Sequence, residues 1–175
     1  MKQNKKILFL TQAAVIAALY AALTVGQDML LPGTTSMAVQ FRVSEALTLL
    51  ACLTSAAIPG LTVGCFLANL INLGWLPTDI VFGTVATLLA AITMYLLRKA
   101  LLWKLPLSAA LMPALFNGLI IGAQIEAFAV DGPFRFKSFA VTAGCVALGE
   151  LAVCFTLGLL LYKALDRPQF KKWLR

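Results

Sequence analysis

Four stretches of the chain, Ile7–Val25, Ile80–Leu97, Leu107–Ile125 and Ser138–Tyr162, run for 17 or more residues almost without charge. A further apolar block, Val43–Leu73, lies between the first two. The hydrocarbon core of a bilayer is ~30 Å thick and takes ~20 apolar helical residues to cross. Runs of this length exceed the buried helices of soluble folds, so the chain reads as an integral membrane protein. Its function must then lie in the few polar residues it keeps inside apolar spans.

Composition narrows the classes further. Of 175 residues 61% are hydrophobic, and the mean hydropathy is +0.93. The length suits one compact bundle, a single transmembrane domain over residues 1–175 with no separate soluble domain. No G-x-x-x-x-G-K-[ST] loop is present, so any ATP-driven step would depend on a partner. There is no histidine and no C-x-x-C, which removes Ser-His and Cys-His catalysis and the usual zinc sites. No enzyme activity, cofactor or metal is expected. Cys52, Cys65, Cys145 and Cys154 all fall in apolar spans and read as buried small hydrophobes. Cys145 and Cys154 are nine residues apart on one helix, ~13 Å of rise, too far to bridge.

The net charge of +7 does not point to nucleic acid. Lys2, Lys5 and Lys6, then Arg98, Lys99 and Lys104, then Lys163, Arg167, Lys171, Lys172 and Arg175 each abut an end of a hydrophobic span. The positive-inside rule expects this placement, and no basic face extends beyond it.

As one helix, Phe41–Leu73 would be ~50 Å long, well beyond a bilayer. Thr54-Ser55 followed by Pro59-Gly60 supplies the break, proline suiting the first turn of a new helix. The block therefore reads as two helices, Val39–Ala56 and Pro59–Leu73. The expected fold is all-α, a bundle of six transmembrane helices at about 7–25, 39–56, 59–73, 79–102, 107–129 and 138–163. With both termini cytoplasmic, every strong basic cluster lies inside, and only Arg42, Arg135 and Lys137 lie outside, beside Asp28, Asp79 and Asp131. A cleaved signal peptide is the weaker reading of the N-terminus, because an apolar run of 19 residues is long for one.

An ionisable side chain costs ~2.5–3.5 kcal/mol at the membrane midplane, so those retained usually face a cavity or one another. Glu45 falls on the second span, Glu126 on the fifth and Glu150 on the sixth, joined by Asn69, Asn72, Asn117 and Gln124. In the expected topology Arg42, Glu45, Asn69, Asn72, Trp75, Asp79, Gln124 and Glu126 lie in the outer half or its loops, with Asn117 and Glu150 deeper. The cytoplasmic half is nearly bare of polar side chains. This predicts a pocket open outward and closed below, not a channel.

Each residue also has a plainer reading. Arg42 and Glu45, three apart, can pair on one face. Asp79 can serve as an N-terminal helix charge, and the amides can be interhelical hydrogen-bond glue. Glu126 can sit high enough to be solvated. Together the set is hard to explain without a ligand.

The first span carries two rows of small residues, Ala13, Ala17 and Ala21 beside Ala14, Ala18 and Ala22. Spacing of four allows close backbone approach, either within the bundle or to a separate membrane subunit. Ala13, Ala14, Ala17 and Ala18, nearest the cytoplasm, are the candidate docking positions.

The segment Phe41-Arg42-Val43-Ser44-Glu45-Ala46-Leu47-Thr48 resembles a signature of the queuosine-precursor transporter family. So do Ile58-Pro59-Gly60, Gly64-Cys65 with Leu67-Ala68-Asn69, Asp79-Ile80-Val81-Phe82-Gly83, Leu115-Phe116-Asn117 and Ala147-Leu148-Gly149-Glu150. These stretches follow in order from the second span to the sixth. Six short helices with an alanine-rich first one also resemble substrate-binding (S) components of energy-coupling factor (ECF) transporters.

The resemblance implies capture of a 7-deazaguanine (preQ0, preQ1 or queuine) and association with a transmembrane coupling subunit and two ATPase subunits. An acidic residue is expected shortly after Gly122, where Gln124 stands with Glu126 two residues on, leaving open which reaches the pocket. The polar residues singled out above, Arg42, Glu45, Asn69, Asn72, Trp75, Asp79, Asn117, Gln124, Glu126 and Glu150, suit such a ligand and are the candidate binding residues. The rival readings are an S component for another vitamin and a small solitary gradient-driven transporter.

Overall fold

A computed structural model describes residues 5–34, 39–72 and 77–170. In chain order the elements are α1 (Lys5–Leu30), a 3-10 helix (Val43–Cys52), α2 (Ala57–Ile71), α3 (Asp79–Leu97), α4 (Leu107–Ala110), α5 (Met112–Phe128), α6 (Phe136–Val153), a π-helical turn (Cys154–Gly158) and α7 (Leu159–Leu165). Among the described residues all regular structure is helical, apart from an isolated bridge between Leu102 and Leu105.

Among the described residues four helical units are long and apolar enough to cross a membrane: Lys5–Leu30, Asp79–Leu97, Leu107–Phe128 and Phe136–Leu165. Their outward faces carry Leu10, Val15, Leu19, Val81, Leu96, Val141, Leu148 and Leu160, all exposed, as lipid-facing side chains should be. Val43–Cys52 and Ala57–Ile71 are apolar but shorter.

The second span departs most from expectation. In place of an α-helix over 39–56 the chain forms a ten-residue 3-10 helix. Every residue from Ser44 to Cys52 is buried, so the segment has no polar face whose spacing would separate a period of 3.0 from one of 3.6. The Thr48 hydroxyl donates to the Glu45 carbonyl at 2.6 Å, matching the i to i+3 geometry. This helix is the centre of the bundle, with Leu49 and Ala51 fully inaccessible.

Other bounds shift for local reasons. The fifth span is interrupted between α4 and α5, where Pro113 has no N–H to offer the Ala109 carbonyl. The fourth stops at Leu97 instead of 102, because the chain turns through Trp103 (φ 50°) and Lys104 (φ 63°) in the left-handed region. The sixth widens into its π turn, where Gly158 meets the 3-10 helix; a Cβ there would stand 3.0 Å from Leu49 Cδ1.

Small residues draw two helix pairs together. Cβ atoms at Gly60 and Gly64 of α2 would stand 2.7 and 2.8 Å from the Ala13 and Ala17 carbonyl oxygens of α1. On the other side of the bundle Gly118 and Gly122 of α5 receive Ala143 and Ala147 of α6 in the same way. The candidate docking positions therefore differ in their surroundings. Ala13 and Ala17 face α2, whereas Ala14, Ala18 and Ala22 are exposed on the opposite side of α1. All four cysteines are free, and Cys52, Cys65 and Cys154 are buried.

Candidate functional site

The 3-10 helix brings Glu45 to the interior, where the Tyr20 hydroxyl of α1 donates to Glu45 Oε1. One turn further along α1, Thr24 Oγ1 and Ser44 Oγ share a hydrogen bond of 2.7 Å. On the other side, Asn117 Nδ2 of α5 donates to Glu150 Oε1 of α6 at 3.0 Å. Glycine at 149 makes the approach of α6 possible, since a Cβ there would overlap the Gln40 carbonyl oxygen at 2.1 Å. Arg42 is buried and lies within electrostatic range of Glu45, Asp79 and Glu150, and the two glutamates feel each other.

Glu45 and Glu150 are each 1% exposed. Both leave Oε2 buried without a hydrogen-bond partner among the described residues. An unsatisfied buried acceptor costs ~1–3 kcal/mol and more when charged, so these oxygens are placed to receive donors from something that enters.

Nearer the α3 N-terminus a second polar group forms. Gln124 Nε2 of α5 donates to Thr78 Oγ1 at 2.9 Å and also to Asp79 Oδ1, while its buried Oε1 has no partner among the described residues. Asn69 Nδ2 of α2 donates to the Asp79 carbonyl at 2.9 Å and packs over Gly83. Asn72 donates to Asp28 of α1, tying the two helix ends together.

Glu126 is turned elsewhere. Its Oε1 accepts the Arg135 backbone N–H at 3.0 Å, fixing the connection into α6, while its Oε2, like those of Glu45 and Glu150, is buried without a partner among the described residues. Trp75 lies outside the described residues.

The QueT transporter family model matches residues 10–167. The chain belongs to that family. A protein of Lactococcus lactis subsp. cremoris (strain MG1363), described as "Queuosine precursor transporter QueT", is 29% identical over 163 residues, covering 89% of this chain and 90% of that one. No solved structure matches.

Both carboxyl groups of this QueT-family chain thus come with a dedicated donor on a neighbouring helix. Asn117 and Glu150, separated in sequence, are brought together, and so are Gln124 and Asp79 and Asn69 and Asp79. Asn69 links α2 to the start of α3, and Asn72 links the end of α2 to α1. Sequence reasoning missed Tyr20, Thr24 and Ser44. The available signal was a tyrosine in mid-span, away from either interface, with a threonine four residues on along the same face.

One expectation fails at the opposite end. A cavity of about 700 Å³ opens among the basic residues, lined by Gln12, Thr54, Ser55, Tyr95 and Tyr162 as well as by Lys5, Arg98 and Lys99. That half is not bare of polar side chains. The second span ends early as a 3-10 helix, so its C-terminal Leu53-Thr54-Ser55 forms a polar floor instead of one more apolar turn.

Proposed function

We propose that this protein is the substrate-binding S component of an ECF transporter and captures a 7-deazaguanine queuosine precursor from outside the cell. In this reading the chain crosses the membrane six times with both termini cytoplasmic, as charge placement favours. The observation that carries the proposal is the pair of buried, unpartnered carboxylate oxygens on Glu45 and Glu150. A guanine-like edge offers adjacent N–H donors at N1 and the exocyclic amine, which one carboxylate accepts side by side. The O6 acceptor needs a donor, and Arg42 and Asn117 stand in the same cluster. Gln124 Oε1 and Glu126 Oε2 both lack a partner among the described residues; Gln124, which stands beside Asp79, is assigned to the pocket because Glu126 Oε1 holds the α5–α6 connection. The printed name of the Lactococcus relative supports the substrate class.

Formal charge favours one member of that class. Arg42, Glu45, Asp79 and Glu150 sum to −2 when ionised (+1 − 3), an excess of negative charge that suits the positive aminomethyl group of preQ1 better than the nitrile of preQ0.

Docking to the transmembrane coupling subunit and its two ATPase subunits is assigned to the exposed Ala14 and Ala18 row of α1. Tyr20 on the inward side of the same helix touches Glu45, so α1 links binding site and docking face.

The test is direct. The protein is purified from cells supplied with preQ1, and co-purifying small molecules are identified by mass spectrometry. A 7-deazaguanine supports the assignment; a vitamin such as thiamin, riboflavin or folate overturns it.

A further inference from the structure

The cavity at the basic end belongs to none of the binding chemistry above. Its lining combines three cations, Lys5, Arg98 and Lys99, with one carboxylate, Asp166, a formal net of +2 (3 − 1). These residues come from three separate places: the start of α1, the turn after α3 and the end of α7. Arg98 is held in place: its guanidinium lies 3.6 Å from the centre of the Tyr95 ring, and Nη1 donates to the Tyr95 carbonyl at 3.1 Å. A guanidinium has five N–H donors, so this anchoring leaves a preorganised fork for an anion.

The rest of the lining indicates what the anion is attached to. Thr54, Ser55 and Tyr162 supply hydroxyls, while Leu8, Phe9 and Leu101 add an apolar side, and Phe9 and Leu101 reach the protein surface. Beyond Leu101 the exposed Trp103 projects from the tight turn beside Lys104, the arrangement of an aromatic anchor at headgroup depth. A free phosphate would have no use for the apolar side. Asp166 would repel it, yet a carboxylate accepts readily from a polyol hydroxyl. Cations for a phosphodiester, acceptors for hydroxyls and an apolar flank for acyl chains describe one molecule class.

We propose that this cavity is a binding site for the headgroup of an anionic, hydroxyl-bearing phospholipid, of which phosphatidylglycerol is the probe. Its phosphate lies between Arg98, Lys99 and Lys5, its glycerol hydroxyls point to Asp166 and Thr54, and its acyl chains run past Phe9 and Leu101.

The test uses native mass spectrometry of the purified protein in detergent, titrated with phosphatidylglycerol, phosphatidylcholine, or soluble glycerol phosphate. The proposal expects a retained phosphatidylglycerol adduct, at least tenfold stronger than phosphatidylcholine and lost in the Arg98→Gln, Lys99→Gln double variant. An Arg135→Gln, Lys137→Gln control, altering basic residues at the far end, should keep the adduct. If glycerol phosphate displaces the lipid at equal concentration, the source is a free phosphate and the lipid assignment falls. Loss of the adduct in the control as well shows diffuse charge attraction and also overturns it. Should the double variant not purify as a monodisperse species, Lys5→Gln and Lys99→Gln singly, both at exposed positions, carry the same test. Unchanged adducts in both contradict the proposal.

Discussion

The interior of this bundle and its basic end are both polar, but they are polar in opposite ways. In the interior Glu45, Glu150, Arg42, Asn117 and Gln124 are buried, each glutamate has a fixed donor on one oxygen, and the other oxygen is left bare. At the basic end Lys5 and Lys99 are exposed around an open cavity. An exposed cation keeps its water and owes the fold nothing. A buried carboxylate oxygen without a donor is a standing cost, and at Glu45 and Glu150 an entering ligand would offset it. Burial, more than charge, therefore separates a dry recognition site from a surface that gathers anions.

The difference can be broken at several strengths. The largest effect on stability is expected on α1, where two adjacent rows have different surroundings. Ala17→Trp drives an indole into the α2 backbone at Gly64 and should lower stability by ~3 kcal/mol or more, read as a fall in melting temperature. Ala14→Trp, on the exposed row, should leave both melting temperature and preQ1 affinity near wild type while abolishing ATP-driven uptake and co-purification with the coupling module. Equal destabilisation by both would show that the second row is also covered within the bundle.

Asn117→Ala comes next. It strips the donor from Glu150 Oε1 and should cost ~1–3 kcal/mol in ligand affinity, about 5- to 150-fold by calorimetry. Lower stability with unchanged affinity would instead make Asn117 a helix tie.

Tyr20→Phe keeps the ring and removes only the hydroxyl that orients Glu45, so a loss of ~1 kcal/mol, roughly fivefold in affinity, is expected. The smallest effect sharpens the comparison from the other side. Arg98→Gln at the basic end should change preQ1 affinity by less than about twofold, within the range of substitutions remote from a site.

Much of this division was legible in the sequence. Long uncharged runs mark Ile7–Val25, Ile80–Leu97, Leu107–Ile125 and Ser138–Tyr162, and each falls in a unit long enough to cross. Glu45, Asn117 and Glu150 stood out because an apolar environment makes any polar residue conspicuous. The 3-10 helix did not, since a segment buried on every side carries no periodic contrast.

Which alanine row faces out was equally hidden. Alanine gives the same signal on a lipid face as against glycine, and the partner pair Gly60 and Gly64 lies on another helix. Tyr20 was overlooked because a tyrosine in an apolar span passes for packing until its hydroxyl is placed beside Glu45. The basic cavity required knowing that the chain turns back after Leu97 and brings Arg98 and Lys99 over the start of α1.

The central claim is that the bare oxygens of Glu45 and Glu150 read the donor edge of a 7-deazaguanine. Calorimetric titration of preQ1 into wild type, Glu45→Gln and Glu150→Gln tests it most directly. Glutamine keeps the shape but replaces an acceptor with a donor and removes the charge. Loss of a charged hydrogen bond in a buried site corresponds to ~2–4 kcal/mol, or ~30- to 1000-fold in affinity. The account predicts saturable binding to wild type and a fall of that size in at least one variant, with the fold intact by melting temperature. Wild-type affinity in both variants would contradict it.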